Sequence, residues 1–193
     1  RHLIALPISN TAPEIWMLGT SNYGAQLAAY LGIPYCFAHF ITDGQGLKEA
    51  LDIYRSEFRP SERFPKPIVN VCMWALTANT NDEAKYLFSS RAAWKIGRNY
   101  GQLGPVTDPD NALNIINDNN WDEQFETMYQ NSFVGDPKVT KNKIYKLVKE
   151  NKIDEIAILT WCHNENSRVK SYELFANEFE LSSKKELHKS YIN

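Results

Sequence analysis

Cysteine is scarce, long apolar runs are missing, and neither sign of charge prevails in this 193-residue chain. The three cysteines, Cys36, Cys72 and Cys162, are odd in number and far apart, which argues against a disulfide framework or a zinc site. Each sits in an apolar, strand-like run, the pattern of reduced, buried thiols. No stretch approaches the ~18 apolar residues of a membrane span, and the opening RHLIALPISN lacks signal-peptide architecture. The expected setting is the cytoplasm, with no membrane attachment. Lysine plus arginine (21) nearly cancels aspartate plus glutamate (23). That balance argues against a surface field able to collect nucleic acid, so any charged ligand must be met locally. The first residue is Arg1 rather than methionine, which points to a processed, cleaved, truncated or artificial start.

What the chain does contain is an alternation of apolar runs and amphipathic stripes. Glu14 to Gly19 is a continuous apolar run of the kind that forms a strand buried on both faces. After it, Tyr23, Leu27, Tyr30 and Leu31 fall at helical spacing, with Gly32 where a C-terminal glycine cap belongs. Ile33 to Phe40 reads as a second strand, followed by a helix with Leu47, Ala50, Leu51, Tyr54 and Phe58 on one stripe. Ile68 to Ala78 is a third, and Thr80 with Glu83 forms a capping box for the next helix, whose stripe holds Ala84, Leu87, Phe88 and Arg91 to Trp94. Residues 98–131 read as an insertion with two short helices. Asp136-Pro137 starts a further helix, because aspartate can cap free amides and proline fits the first helical position. Its lysines between Lys138 and Lys152 read as a solvated face. Glu155 to Trp161 is the fourth strand, Ser167 is the expected cap of the last helix, and the tail from Ser182 is polar.

Four strands, each followed by helix, imply a parallel sheet, either open and doubly wound or part of a closed barrel. Both architectures place working groups at the C-terminal ends of strands. Gly19, Thr20, Ser21, Asn22, Tyr23 and Gly24 occupy such an end, and small hydroxyls beside a helix N-terminus suit an anion such as phosphate. The same residues suit a plain N-cap by Thr20 or Ser21 without any ligand. Their spacing is neither the phosphate loop nor GxGxxG, and it misses the GxSxG elbow by one position, which argues against a Ser21 nucleophile. His39 and His163 also lie near strand ends, although a lone histidine is ordinarily a packed side chain. Trp16, Trp74 and Trp161 could line a flavin pocket or simply fill the core. His39, Cys162 and His163 do not form a metal spacing.

One longer pattern runs through these elements. The stretch PEIWMLGTSNYGAQLAAYLGIPYCFAHF resembles the bacterial luciferase-like, flavin-dependent monooxygenases, where a strand ends in Leu-Gly-Ser-Ser and a helix in Ala-Ala-x-Leu-Gly-Leu-Pro. ALDIYRSEFRPS resembles that family's next helix, SFVGDPKVTKNKI its Val-Gly-x-Pro helix start, and RVKSYELFA its last helix. The matches keep their order over most of residues 13–179. The resemblance implies parallel strand-helix repeats forming the C-terminal half of a TIM (β/α)8 barrel with a helical insertion. It also implies oxidation of a small organic substrate by O2 and reduced FMN, the latter supplied by a flavin reductase. Gly19 to Gly24 would then hold the FMN phosphate, with Gly24 standing where many relatives carry serine or threonine, and His39 would be the candidate catalytic residue near the ring or substrate. Only the later strands of the barrel are matched. The alternative is therefore a non-catalytic half-barrel that binds flavin or phosphate and assembles into a homo-oligomer; a deazaflavin in place of FMN also stays open, as does an unrelated doubly wound phosphate-binding domain.

Overall fold

A computed structural model describes residues 13–181. Arg1, the opening run and the tail from Ser182 lie outside the described residues. Five strands, β1 (Met17–Gly19), β2 (Tyr35–Ala38), β3 (Val69–Thr77), β4 (Phe133–Gly135) and β5 (Glu155–Leu159), form one parallel sheet. Eight helices accompany them among the described residues: α1 (Asn22–Leu31), α2 (His39–Thr42), α3 (Leu47–Glu57), α4 (Asn81–Asn99), α5 (Pro109–Asp118), α6 (Asp122–Asn131), α7 (Pro137–Asn151) and α8 (Glu165–Glu178).

The main sheet runs β1-β2-β3-β5, with Met17 beside Tyr35, Tyr35 beside Val69, and Asn70 beside Glu155. β4 instead pairs with the last three residues of β3, Ala75 to Thr77. The expected four strands are thus all present, and β4 is an addition. Its three residues, Phe133 to Gly135, were read only as the approach to the Asp136-Pro137 helix, because three residues are too few to show alternation. The strands are also shorter than their apolar runs: Trp16 precedes β1, and Trp161 follows β5. His39 begins α2 instead of ending β2.

Paired residues in a parallel ladder share a face, and the two faces here have different coverings. Tyr35, Phe37, Val71 and Met73 pack under α1, α3, α7 and α8 with Ala28, Leu51, Ile144 and Phe175. On the other face Trp74 and Leu76 meet α4, α5 and α6 through Phe88, Ile116 and Phe125. Nearer the strand starts that second face is only partly covered, and Leu18 is 57% exposed. There Asn70 accepts from Cys36 Sγ at 3.0 Å and donates to Glu155 Oε1 at 3.1 Å. Burial, followed by the nearby Cys72, pushes the Cys36 thiol up to about 11, so it stays protonated at neutral pH. All three cysteines are free and half-buried, less enclosed than their apolar surroundings suggest.

Helix ends mostly follow local chemistry. Thr80 Oγ1 accepts from the Glu83 amide, while the Glu83 carboxylate reaches back to Asn79, one residue earlier than in a reciprocal box. Asp136 caps α7 as expected, whereas Asn164, three positions before Ser167, caps α8 and receives the Ser167 amide at 3.0 Å. The lysine face of α7 is only partly solvated. Lys143 Nζ donates to the Ser132 carbonyl at 2.8 Å, stitching α7 to the start of β4, and burial holds its pKa below the ordinary lysine value. Residues 98–131 leave the end of α4 and carry α5 and α6 back to β4.

Candidate functional site

Three elements meet at the C-terminal ends of the strands. The first is the turn from β1 into α1. Ser21 has an extended backbone and its hydroxyl accepts from the Gly24 amide at 3.2 Å, which makes Ser21, and not Thr20, the N-cap. The amides of Asn22 and Tyr23 open the helix and have no acceptor in its ladder. With the positive end of the helix dipole they favour an anion in front of the turn. The Asn22 side chain is already engaged, donating to Glu49 Oε1 of α3 at 2.7 Å. Of the two hydroxyls, Ser21 is committed as an acceptor and keeps its proton for donation.

Gly24 is not required by sterics. A Cβ there would have Ser21 Oγ as its nearest neighbour, at an ordinary 3.6 Å, and the position lies inside α1. Gly24→Ser is therefore expected to fold normally and to stiffen the first turn of α1, as read by a raised thermal unfolding midpoint.

The second element is the segment from α2 to α3. His39 is buried, its ring 5.3 Å from that of Phe133 in β4. A Cβ on Gly44, where φ is +86°, would come within 2.5 Å of His39 Nε2, so glycine is needed both for the turn and for the imidazole seated against it. Two residues on, Gly46 faces the Thr20 carbonyl, 3.9 Å from the position a Cβ would take. One short loop thus joins the His39 pocket to the β1–α1 turn.

Burial lowers the His39 pKa below 6.5; Asp43 opposes the shift, whereas Lys95 and Arg91 reinforce it. A histidine kept neutral in the fold contributes stability above its unfolded value, and that contribution is lost as pH falls through the folded value. Stability is expected to decline as pH drops below about 6.5, and His39→Gln should flatten that decline in urea unfolding followed across pH. An unchanged slope would show that His39 does not titrate differently in the two states.

The third element is α4. Arg91 lies on the stripe of Leu87 and Phe88 and is only 2% exposed. Its guanidinium sits 4.2 Å from the centre of the Trp74 ring and 3.5 Å from Asp43 Oδ1. Lys95, one turn later, binds the other Asp43 oxygen. A cavity of about 700 Å³ opens beside these groups, bounded by His39, Asp43, Trp74, Arg91, Met128 and Phe133 among others. That volume falls within the ~300–1,000 Å³ of small-molecule sites. Trp94 and Trp161 stand edge to face, centroids 5.7 Å apart, and neither lines the cavity, while His163 lies in the loop after β5.

Of the residues singled out in the sequence, His39 and Trp74 line this cavity, and Gly19 to Gly24 lie across the Asp43–Gly46 loop from it. Asp43 and Arg91 were not assigned a role. The legible signal was a charged residue in an apolar helical stripe, which becomes informative only when the helix is laid against Trp74. No group of three or more potential metal ligands occurs among the described residues. No helix there is long and apolar enough to cross a membrane.

No protein-family model matches the chain. Over 178 residues it is 33% identical to the luciferase-like monooxygenase of Escherichia coli (strain K12), covering 90% of this chain and 51% of that protein. It is 30% identical over 177 residues to the uncharacterized protein YceB of Bacillus subtilis (strain 168), covering 91% and 53%. The chain therefore spans about half the length of the curated relatives it matches. Among solved structures, apo-MsnO8 superposes with a TM-score of 0.81 at 29% identity, over 92% of this chain and 54% of that one. The oxygenating constituent of 3,6-diketocamphane monooxygenase from Pseudomonas putida, solved with FMN, has a TM-score of 0.57 at 19% identity, over 86% and 48%. At that identity the likeness shows the fold alone. The β1-β2-β3-β5 sheet with its helices is half of such an α/β barrel.

Proposed function

We propose that the chain, which is 33% identical to a luciferase-like monooxygenase over about half of that protein's length, is a member of that family and supplies one side of a flavin-dependent monooxygenase site. The observation that carries this reading is the β1–α1 turn. It puts the free amides of Asn22 and Tyr23 and the Ser21 hydroxyl at a strand end, where the barrel architecture collects its functional groups. These residues fit a phosphate, and the structural neighbour solved with FMN favours that flavin. When bound as reduced FMN, the cofactor supplies the oxygen chemistry with O2. This chain's residues grip the phosphate, while Trp74, Phe133 and Met128 form an apolar wall that excludes water from the substrate side. His39, neutral and fixed by Phe133 and Gly44, serves as the candidate catalytic residue, able to accept or give a proton at one imidazole nitrogen. The substrate is a small organic molecule, and a separate reductase delivers the reduced flavin in the cytoplasm.

Titration of FMN and reduced FMN into the protein tests this. Ser21→Ala should weaken either by about tenfold, since a hydrogen bond to a charged phosphate is worth ~1.5–3 kcal/mol. Part of the stability lost with the cap, ~1 kcal/mol, will appear separately in unfolding experiments. Equal affinity for the variant and the parent removes the phosphate role.

A second reading rests on the sheet edges. Among the described residues β1 pairs only with β2, and β5 only with β3, leaving an open edge at β1, which carries the exposed Leu18, and another at β5 on the opposite side of the sheet. Such edges seek pairing, so a flavin- or phosphate-binding half-barrel that closes against a second copy of itself would satisfy them without turnover. Light scattering separates the two readings from one side: a well-behaved monomer contradicts self-assembly.

A further inference from the structure

Residues 42–46 carry the chain from α2 into α3, and three of these five positions have left-handed backbone: φ is +51° at Asp43, +86° at Gly44 and +83° at Gly46. Aspartate is among the few residues with a side chain that enter this region readily. Local bonds shape the turn. The Gln45 amide donates to the Thr42 carbonyl at 3.2 Å and the Leu47 amide to the Gly44 carbonyl at 3.0 Å. These bonds are internal to the turn and do not attach it to its neighbours.

The attachment is made by Asp43. One carboxylate oxygen takes Lys95 Nζ, the other faces Arg91 at 3.5 Å, and both ties run to α4. Arg91 is buried and stacked on Trp74, so it is a fixed anchor, and a buried cation strongly resists losing its carboxylate. Past Asp43 the loop meets both parts of the site in turn. Gly44 lies against the imidazole of His39, where a Cβ would come within 2.5 Å of Nε2. Beyond Gly46 the first turn of α3 is bonded to the first turn of α1, Glu49 Oε1 accepting from Asn22 Nδ2 at 2.7 Å. Asp43 borders the cavity beside β3, while Gly44 and Gly46 border a second, open hollow on the α3 side.

We propose that Asp43 is a positioning residue: by fastening residues 42–46 to α4 it fixes the His39 imidazole and the β1–α1 turn relative to each other, and release of the loop disturbs both. This rests on the reading of those two places as the catalytic and phosphate sides of one monooxygenase site. Asp43 acts through Gly44 on the first and through the start of α3 on the second.

Charge and release act on His39 with opposite signs. The charges that bear on its ring are Asp43 of the loop and Lys95 and Arg91 of α4; β4 presents the uncharged ring of Phe133, and Glu123 of α6 stands at the same cavity. With the loop still in place, loss of the Asp43 charge leaves the two cations unopposed and drives the His39 pKa further down. With the loop released, water reaches the imidazole and the pKa rises toward 6.5, because burial is the main cause of its depression.

Asp43→Asn removes the charge and keeps a residue that accepts the left-handed backbone. Proton NMR titration of the histidines in the parent and in Asp43→Asn, with His39→Gln to assign the signal, is expected to show the rise. FMN titration by fluorescence reads the other end of the loop. Losing a nearby carboxylate tightens an anion by charge alone, whereas release of the loop weakens FMN several-fold, which is the expected result. A fallen or unchanged His39 pKa overturns the proposal, as does FMN bound by the variant as tightly as by the parent or more so. A parent that binds no FMN removes the monooxygenase reading, and the His39 titration then decides the fastening alone. Should Asp43→Asn fail to fold, Lys95→Gln, which keeps the Arg91 pair, takes its place: hydrogen exchange at the Gln45 and Leu47 amides should run several-fold faster than in the parent, and unchanged exchange overturns the proposal.

Discussion

Phe88→Ala is expected to lower unfolding free energy by about 3–5 kcal/mol, the range for deleting a large aromatic side chain from a packed interior. Phe88 is fully buried in the middle of α4. Its ring lies 5.5 Å from Trp74, 5.8 Å from Phe125 and 6.1 Å from Tyr129, centre to centre. It therefore bridges β3 and α6, and removing it opens a void between them. The functional consequence follows from the same contacts. Trp74 forms the floor of the cavity and Met128 part of its wall, so the variant should also bind ligands there more loosely than its residual stability alone would suggest. Urea unfolding of the parent, Phe88→Leu and Phe88→Ala measures the effect. A loss below about 1 kcal/mol in the alanine variant would contradict the packing described, because even a single buried methylene is felt in a close-packed core.

Gly32→Ala is expected to cost about 3 kcal/mol or more, from two separate causes. The backbone there has φ of +61°, in the left-handed region, where an alanine pays ~1–2 kcal/mol. A Cβ at this place would also lie 2.3 Å from the Arg59 carbonyl oxygen, which is backbone and cannot swing away. That carbonyl is held: the Arg59 amide donates to Ala29 at 2.9 Å, and Ser61 Oγ donates to the Gly32 carbonyl at 3.2 Å. Relief requires moving either the segment after α3 or the whole of α1, and α1 carries the Gly19–Gly24 turn at its other end. Thermal unfolding should show the loss, and with the phosphate role proposed for that turn FMN affinity should fall with it. Gly19→Ala supplies the contrast, since nothing lies within 4 Å of a Cβ there. A Gly32→Ala protein as stable as the Gly19→Ala protein would show that the cap is not strained.

These two glycines show how differently one residue type can be read. Gly32 was legible because it ends a helical stripe, and its left-handed conformation follows from local chemistry. Gly44 was not, since its need depends on His39 reaching across a turn to occupy the space of a side chain. His39 itself was placed at a strand end by its apolar neighbours, yet the backbone turns into α2 at that residue. A continuous apolar run records burial and does not mark where the strand stops. β4 escaped notice for a related reason, because its three residues are held by pairing with Ala75 to Thr77, far away in sequence.

The sequence alone determined the strand-helix alternation, the parallel sheet it requires, the turn at Gly19 to Gly24 and the resemblance to luciferase-like monooxygenases, because these depend on periodicity, caps and ordered local motifs. Tertiary structure decided the rest. The near balance of charge had not said which opposite charges would meet. Only the fold brings Arg91 of α4 onto Trp74 of β3 and sets Asp43 and Lys95 beside them. The physical reason is that burial and ion pairing are relations between distant segments, and no local pattern encodes them.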